Sequence, residues 1–124
     1  MRALLLLVAG ALSVPSAAAE PREVIGYVGV LGEWELIATV AESGSRSAGE
    51  FSGPLTMTHV GICTQDGPER KSGAIRLSMS ASRLNATLSL DGVECTYAAR
   101  LSDAYKGQMN CPDRPAVPLT LWVR

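Results

Sequence analysis

The chain has 124 residues, with 11 Lys and Arg against 12 Asp and Glu, a single His and three Cys. That length fits one domain with a modest core. The near-neutral charge excludes the broad basic field that nucleic acid or an anionic membrane surface calls for.

The first segment reads as a secretory signal. Arg2 supplies a positive start, Leu4 to Leu12 an apolar stretch too short to span a bilayer, and Ala17-Ala18-Ala19 the small residues that a signal peptidase reads. The expectation is therefore a signal peptide over 1–19 and one domain over 20–124, working outside the cytoplasm, either periplasmic or secreted. No later segment is apolar enough to span a membrane, and no cysteine opens the mature chain to carry a lipid anchor.

Residues 20–31 resist assignment, because Gly26, Gly29 and Gly32 interrupt the apolar Val24-Ile25 and Tyr27-Val28. From Glu33 onward the dominant signal is alternation with period two, broken by turn residues, as half-buried strands require. Glu33 to Val40 is the first predicted strand, with Trp34, Leu36, Ala38 and Val40 on one face. A polar loop follows over 43–49. Phe51 to Ile62 is the second strand, and Gly53-Pro54 near its start marks an edge or a bend. A charged turn spans Asp66 to Gly73. Ile75 to Met79 and Leu84 to Leu90 alternate most cleanly.

Asp91-Gly92 then predicts a type I′ hairpin, because both central positions of that turn need positive φ. Its register sets Leu90 against Val93 and Leu88 against Cys95. A turn at Ser102-Asp103-Ala104 sets Leu101 against Tyr105, Ala99 against Gly107 and Tyr97 against Met109. Val117 to Val123 is the last strand. The expected fold is all-β, an antiparallel meander of about seven strands rolled into a small up-and-down barrel, with a β-sandwich as the alternative.

Gly32-Glu33-Trp34 resembles the Gly-x-Trp that opens the first strand of the calycins, the lipocalin and avidin relatives. The resemblance implies a barrel whose floor is plugged by Trp34. The chain is shorter than a lipocalin and lacks the usual helix before the final strand, so the ligands of that family do not carry over.

The meander places all three cysteines near one rim. Extending the register beyond Tyr97 and Met109 sets Cys95 opposite Cys111, and directly opposed strand residues come within disulfide range. Cys95–Cys111 is therefore the expected bridge, with Cys63 the free thiol, either buried, reactive or bonded to another chain. Met57, His59 and Cys63 share a strand face, a soft set that suits copper. Four strand residues nevertheless hold His59 and Cys63 about 13 Å apart, so no metal site is assigned. Nor is a cofactor or a catalytic set: one His, no nucleophile elbow and no phosphate loop leave little to build one from. Asp66, Glu69, Asp91, Glu94, Asp103 and Asp113 read as solvated turn acids. Asn85-Ala86-Thr87 is a glycosylation sequon that counts only in a eukaryotic secretory pathway.

Trp34, Leu36, Leu55, Met57, His59, Ile75, Leu77, Leu88, Leu90, Tyr97, Met109, Leu119 and Leu121 are the expected interior. They would fill a barrel of seven or eight strands and leave only a shallow pocket at one end. On this reading the protein is a non-catalytic binding module. It meets a protein partner, an enzyme to be inhibited or a small ligand through its rim and loops, the segments 44–49 and 64–73 above all. The alternative is a small extracytoplasmic enzyme or redox protein using His59 or Cys63.

Overall fold

The structure is a computed structural model that describes residue 10 and residues 21–43, 49–60 and 67–124. The proposed signal peptide apart from Gly10, Cys63, and residues 44–48 and 64–66 of the two expected contact loops, Asp66 among them, lie outside the described residues. Eight antiparallel strands follow one another around a closed barrel: β1 (Arg22–Val28), β2 (Trp34–Glu42), β3 (Glu50–His59), β4 (Arg70–Met79), β5 (Arg83–Leu90), β6 (Val93–Leu101), β7 (Tyr105–Asn110) and β8 (Val117–Val123). Each strand pairs with its sequence neighbours, and β1 pairs with β8 to complete the ring.

The strand that the alternation missed is β1. Val24, Gly26 and Val28 face the interior, while Ile25 and Tyr27, apolar too, face outward, so no alternation marks the strand. Gly26 is required where it stands. A Cβ there would lie 2.4 Å from Leu121 Cδ2 and 2.8 Å from the Thr120 carbonyl oxygen, so only glycine lets β1 come this close to β8.

The closed ring also settles Pro54. A barrel has no edge, and Pro54 pairs with Ala74 on the β4 side while the β2–β3 ladder skips from Ala38↔Leu55 to Ala41↔Ser52. The missing N–H falls in that gap. The third predicted strand starts earlier than Ile75. Arg70–Gly73, read as turn, are the first residues of β4. Arg70 and Ser72 face solvent and Lys71 only half-enters the barrel, so charge hid a strand.

The hairpin registers follow from the turns. Asp91 (φ 48°) and Gly92 (φ 80°) both lie in the left-handed region, and Leu90↔Val93 and Leu88↔Cys95 are paired. Leu101↔Tyr105, Ala99↔Gly107 and Tyr97↔Met109 are paired across β6 and β7.

The interior is apolar, and no polar or charged residue is fully buried among the described residues. Leu36, Ile75, Leu77, Leu84, Leu88, Leu119 and Leu121 form its centre. One end of the barrel is packed shut by Val40, Phe51, Leu84, Ala104 and Tyr105, with the Arg22 guanidinium 5.0 Å from the Phe51 ring centre. Tyr97 stands inside as a polar strut. Its hydroxyl hydrogen is shared between the Tyr105 carbonyl at 3.0 Å and the Leu119 carbonyl at 2.8 Å, tying β6 to β7 and β8 and satisfying a group that is costly to bury unpaired. Burial pushes its ionisation well above the usual tyrosine range.

Candidate functional site

The opposite end of the barrel is open. The last residues of β1, β3, β5 and β7 and the first of β2, β4, β6 and β8 meet there, around a cavity of about 660 Å³. The expectation of a filled core with only a shallow pocket is therefore corrected. The centre is packed as expected, but Trp34 and His59, counted among the filling side chains, are half-buried at the mouth. The inward position between Lys71 and Ile75 is Gly73, which adds no side chain. The cavity lies above this layer.

The wall of this cup is built by strand alternation. Val28, Met57, Leu90, Cys95 and Met109 point inward from five strands, all buried. Val117 completes the wall from β8. The Cys95–Cys111 disulfide lies in the wall as well, with its Cα atoms 4.3 Å apart. That spacing matches the closer of the two pair types in an antiparallel ladder, so the bridge extends the β6–β7 register by one step.

The mouth is polar. His59 meets Trp34 edge to face, with ring centres 4.6 Å apart. This follows from the ladder, in which Trp34 and His59 are direct partners. The Lys71 ammonium sits 5.1 Å from the Trp34 ring centre, over its face, where the ring quadrupole attracts a cation. Backbone bonds fix this arrangement: the His59 N–H donates to the Glu69 carbonyl and the Val60 N–H to the Glu33 carbonyl, both at 2.8 Å. Glu33, Asp91 and Arg114 complete the rim.

The resemblance to the calycins implied that Trp34 plugs the barrel floor. Here Trp34 opens the second strand, not the first, and lines the open mouth. Met57 and His59 do share the cup, but among the described residues no group of three or more His, Cys, Asp or Glu is placed to hold a metal ion. Glu69, Asp91, Glu94, Asp103 and Asp113 are exposed. No helix among the described residues is long and apolar enough to cross a membrane. Lys71 and Arg114, absent from the sequence-level candidates, are at the rim. Lys71 was hidden in an apparent turn, and Arg114 lies in a connection with no periodicity to place it.

No family model matches the chain, and neither does any curated protein or solved structure.

Proposed function

We propose that this is a cup-shaped barrel binding protein that holds a small, mainly apolar ligand in its open end. The observation that carries this reading is the cavity of about 660 Å³ with an apolar wall and a polar mouth, within the size range of small-molecule pockets and with their usual division of labour. It replaces rim and loop recognition as the leading mode, since those surfaces suit a barrel without a cup. The ligand that fits has an apolar body for Met57, Leu90, Met109, Val117 and the disulfide. Its polar end would meet His59, Lys71 or Arg114. The disulfide in the wall suits an oxidising, extracytoplasmic compartment, in keeping with the signal-like leader, and the cup is consistent with a calycin-like relationship. The competing reading, an enzyme using His59 or Cys63, predicts turnover; the cup predicts binding without it.

Trp34 reports on the site directly. In a Trp122→Phe background, titrating an environment-sensitive apolar dye, anilinonaphthalene sulfonate, into the folded protein is expected to change Trp34 emission and saturate at one dye per chain. Met57→Trp, which narrows the cup from its wall, is expected to weaken dye binding while the far-ultraviolet circular dichroism of the barrel is retained. Equal binding by parent and narrowed variant would refute the proposal. Loss of a measured turnover in His59→Ala would favour the enzyme.

A further inference from the structure

The outer wall near the closed end carries a second feature, unrelated to the cup. Arg83 on β5, Arg100 on β6 and Lys106 on β7 are direct partners across neighbouring ladders: Arg83↔Arg100 and Arg100↔Lys106. All three face solvent. Directly opposed strand residues have Cβ atoms about 5 Å apart, and like charges in that relation destabilise a sheet. Among the described residues none of the three side chains makes an ion pair, and Asp103, at the tip of the β6–β7 turn, is not paired with them.

The next row of the wall is Asn85↔Ala98↔Gln108. Ala98, at its centre, leaves a gap where its neighbours carry long side chains. The result is a hollow of about 240 Å³ lined by Arg83, Asn85, Ala98, Ala99, Arg100 and Lys106. Its side-chain donors are two guanidinium groups, one ammonium and one amide, with no carboxylate in the lining.

We propose that this hollow binds a doubly charged oxyanion group, a phosphate or sulfate. Arginine forks match the oxygens of such a group in pairs, and the lysine adds a point charge. The Asn85 amide can donate at the side, and the Ala98 methyl leaves room for the anion to approach. Three cations held in register with no internal partner are costly alone and favourable around a dianion. The net charge of the chain is near zero, so the feature is local, and its field fades within about 10 Å at ordinary ionic strength. The ligand must therefore seat in the hollow; long-range attraction does not suffice. The same group occurs on a soluble phosphate monoester and on a lipid whose headgroup is a phosphate monoester, and the experiment separates the two.

The test titrates the full chain with inorganic phosphate and sulfate at constant ionic strength, balanced with chloride, and follows backbone amide shifts. Saturable shifts are expected at Asn85, Ala98, Arg100 and Lys106, with the rest of the barrel unmoved. Arg100→Gln is expected to weaken the affinity at least tenfold, Arg100→Lys by less, and the triple variant R83Q/R100Q/K106Q to abolish it. In chloride alone the triple variant is expected to melt no lower than the parent, since only repulsion is removed; should it fail to fold, Arg100→Gln decides by itself. Co-sedimentation with phosphatidic acid vesicles but not phosphatidylcholine vesicles, lost in Arg100→Gln, would assign the group to a headgroup. Saturation by free phosphate without vesicle binding would assign a soluble ligand. Linear shifts, shifts scattered over the barrel, or unchanged binding in Arg100→Gln would overturn the site.

Discussion

Tyr97→Phe removes one hydroxyl from the barrel interior and should reveal itself through pH. Its donor serves two backbone carbonyls, those of Tyr105 and Leu119, in a side chain that is 3% exposed. Losing such a bond costs about 1–2 kcal/mol at neutral pH. The second part of the prediction comes from linkage. Burial holds the folded-state ionisation above the unfolded value, which is about 10. Below pH 10 both states keep the proton, and the contribution of Tyr97 is fully present. Above it the unfolded chain releases the proton while the folded one retains it. Stability then falls by about 1.4 kcal/mol per pH unit on account of Tyr97 until the folded hydroxyl titrates. The phenylalanine variant has no such loss. The gap between parent and variant, measured by urea denaturation, should therefore be about 1–2 kcal/mol at pH 7 and shrink by about 1.4 kcal/mol by pH 11. Comparing the two proteins cancels the lysines and other tyrosines that titrate in the same range. A gap that stays constant from pH 7 to pH 11, or a variant as stable as the parent at pH 7, would refute the reasoning.

Leu88 is fully buried between Ile75 and Cys95, so Leu88→Ala should cost about 2–5 kcal/mol in denaturant midpoint experiments. Ile37→Ala, at a position 45% exposed on the outer wall, should cost far less. Reducing the Cys95–Cys111 bridge, which closes a segment with a sequence separation of 16, should lower stability by about 3 kcal/mol in the chain-entropy account, read as a drop in melting temperature with a phosphine reductant. Gly26→Val should destabilise by about 1–3 kcal/mol or more by overpacking, because the new side chain meets Leu121 and the Thr120 carbonyl. Amide exchange should then quicken first in β1 and β8.

Local chemistry is enough to read most strands of this barrel. Alternation from Leu84 to Leu90 can be satisfied only by a sheet with one wet face, and Asp91-Gly92 fixes the turn and hence the register that pairs Leu88 with Cys95. Register in turn carried the disulfide, since Cys95 and Cys111 become partners once Leu101 and Tyr105 do. The barrel was expected from the meander, but the strand that closes it is not announced locally. β1 has apolar residues on both faces and a glycine at its centre, and its role appears only when β8 comes round to lie against Gly26. The cup was equally hidden. Trp34, Met57 and His59 are correctly inward by parity, but parity does not give height along the barrel axis. Height follows from the tilt of the strands and the way eight of them close, and it puts Trp34 and His59 at the mouth with Lys71 over the tryptophan. The cationic row lies between the two: the turns that set Leu90 against Val93 and Leu101 against Tyr105 also set Arg83 against Arg100 and Arg100 against Lys106. The three look like scattered surface charge until the ladders between β5, β6 and β7 bring them side by side, because pairing between strands is set by the hydrophobic face and the turns, with no regard for what it aligns on the outside.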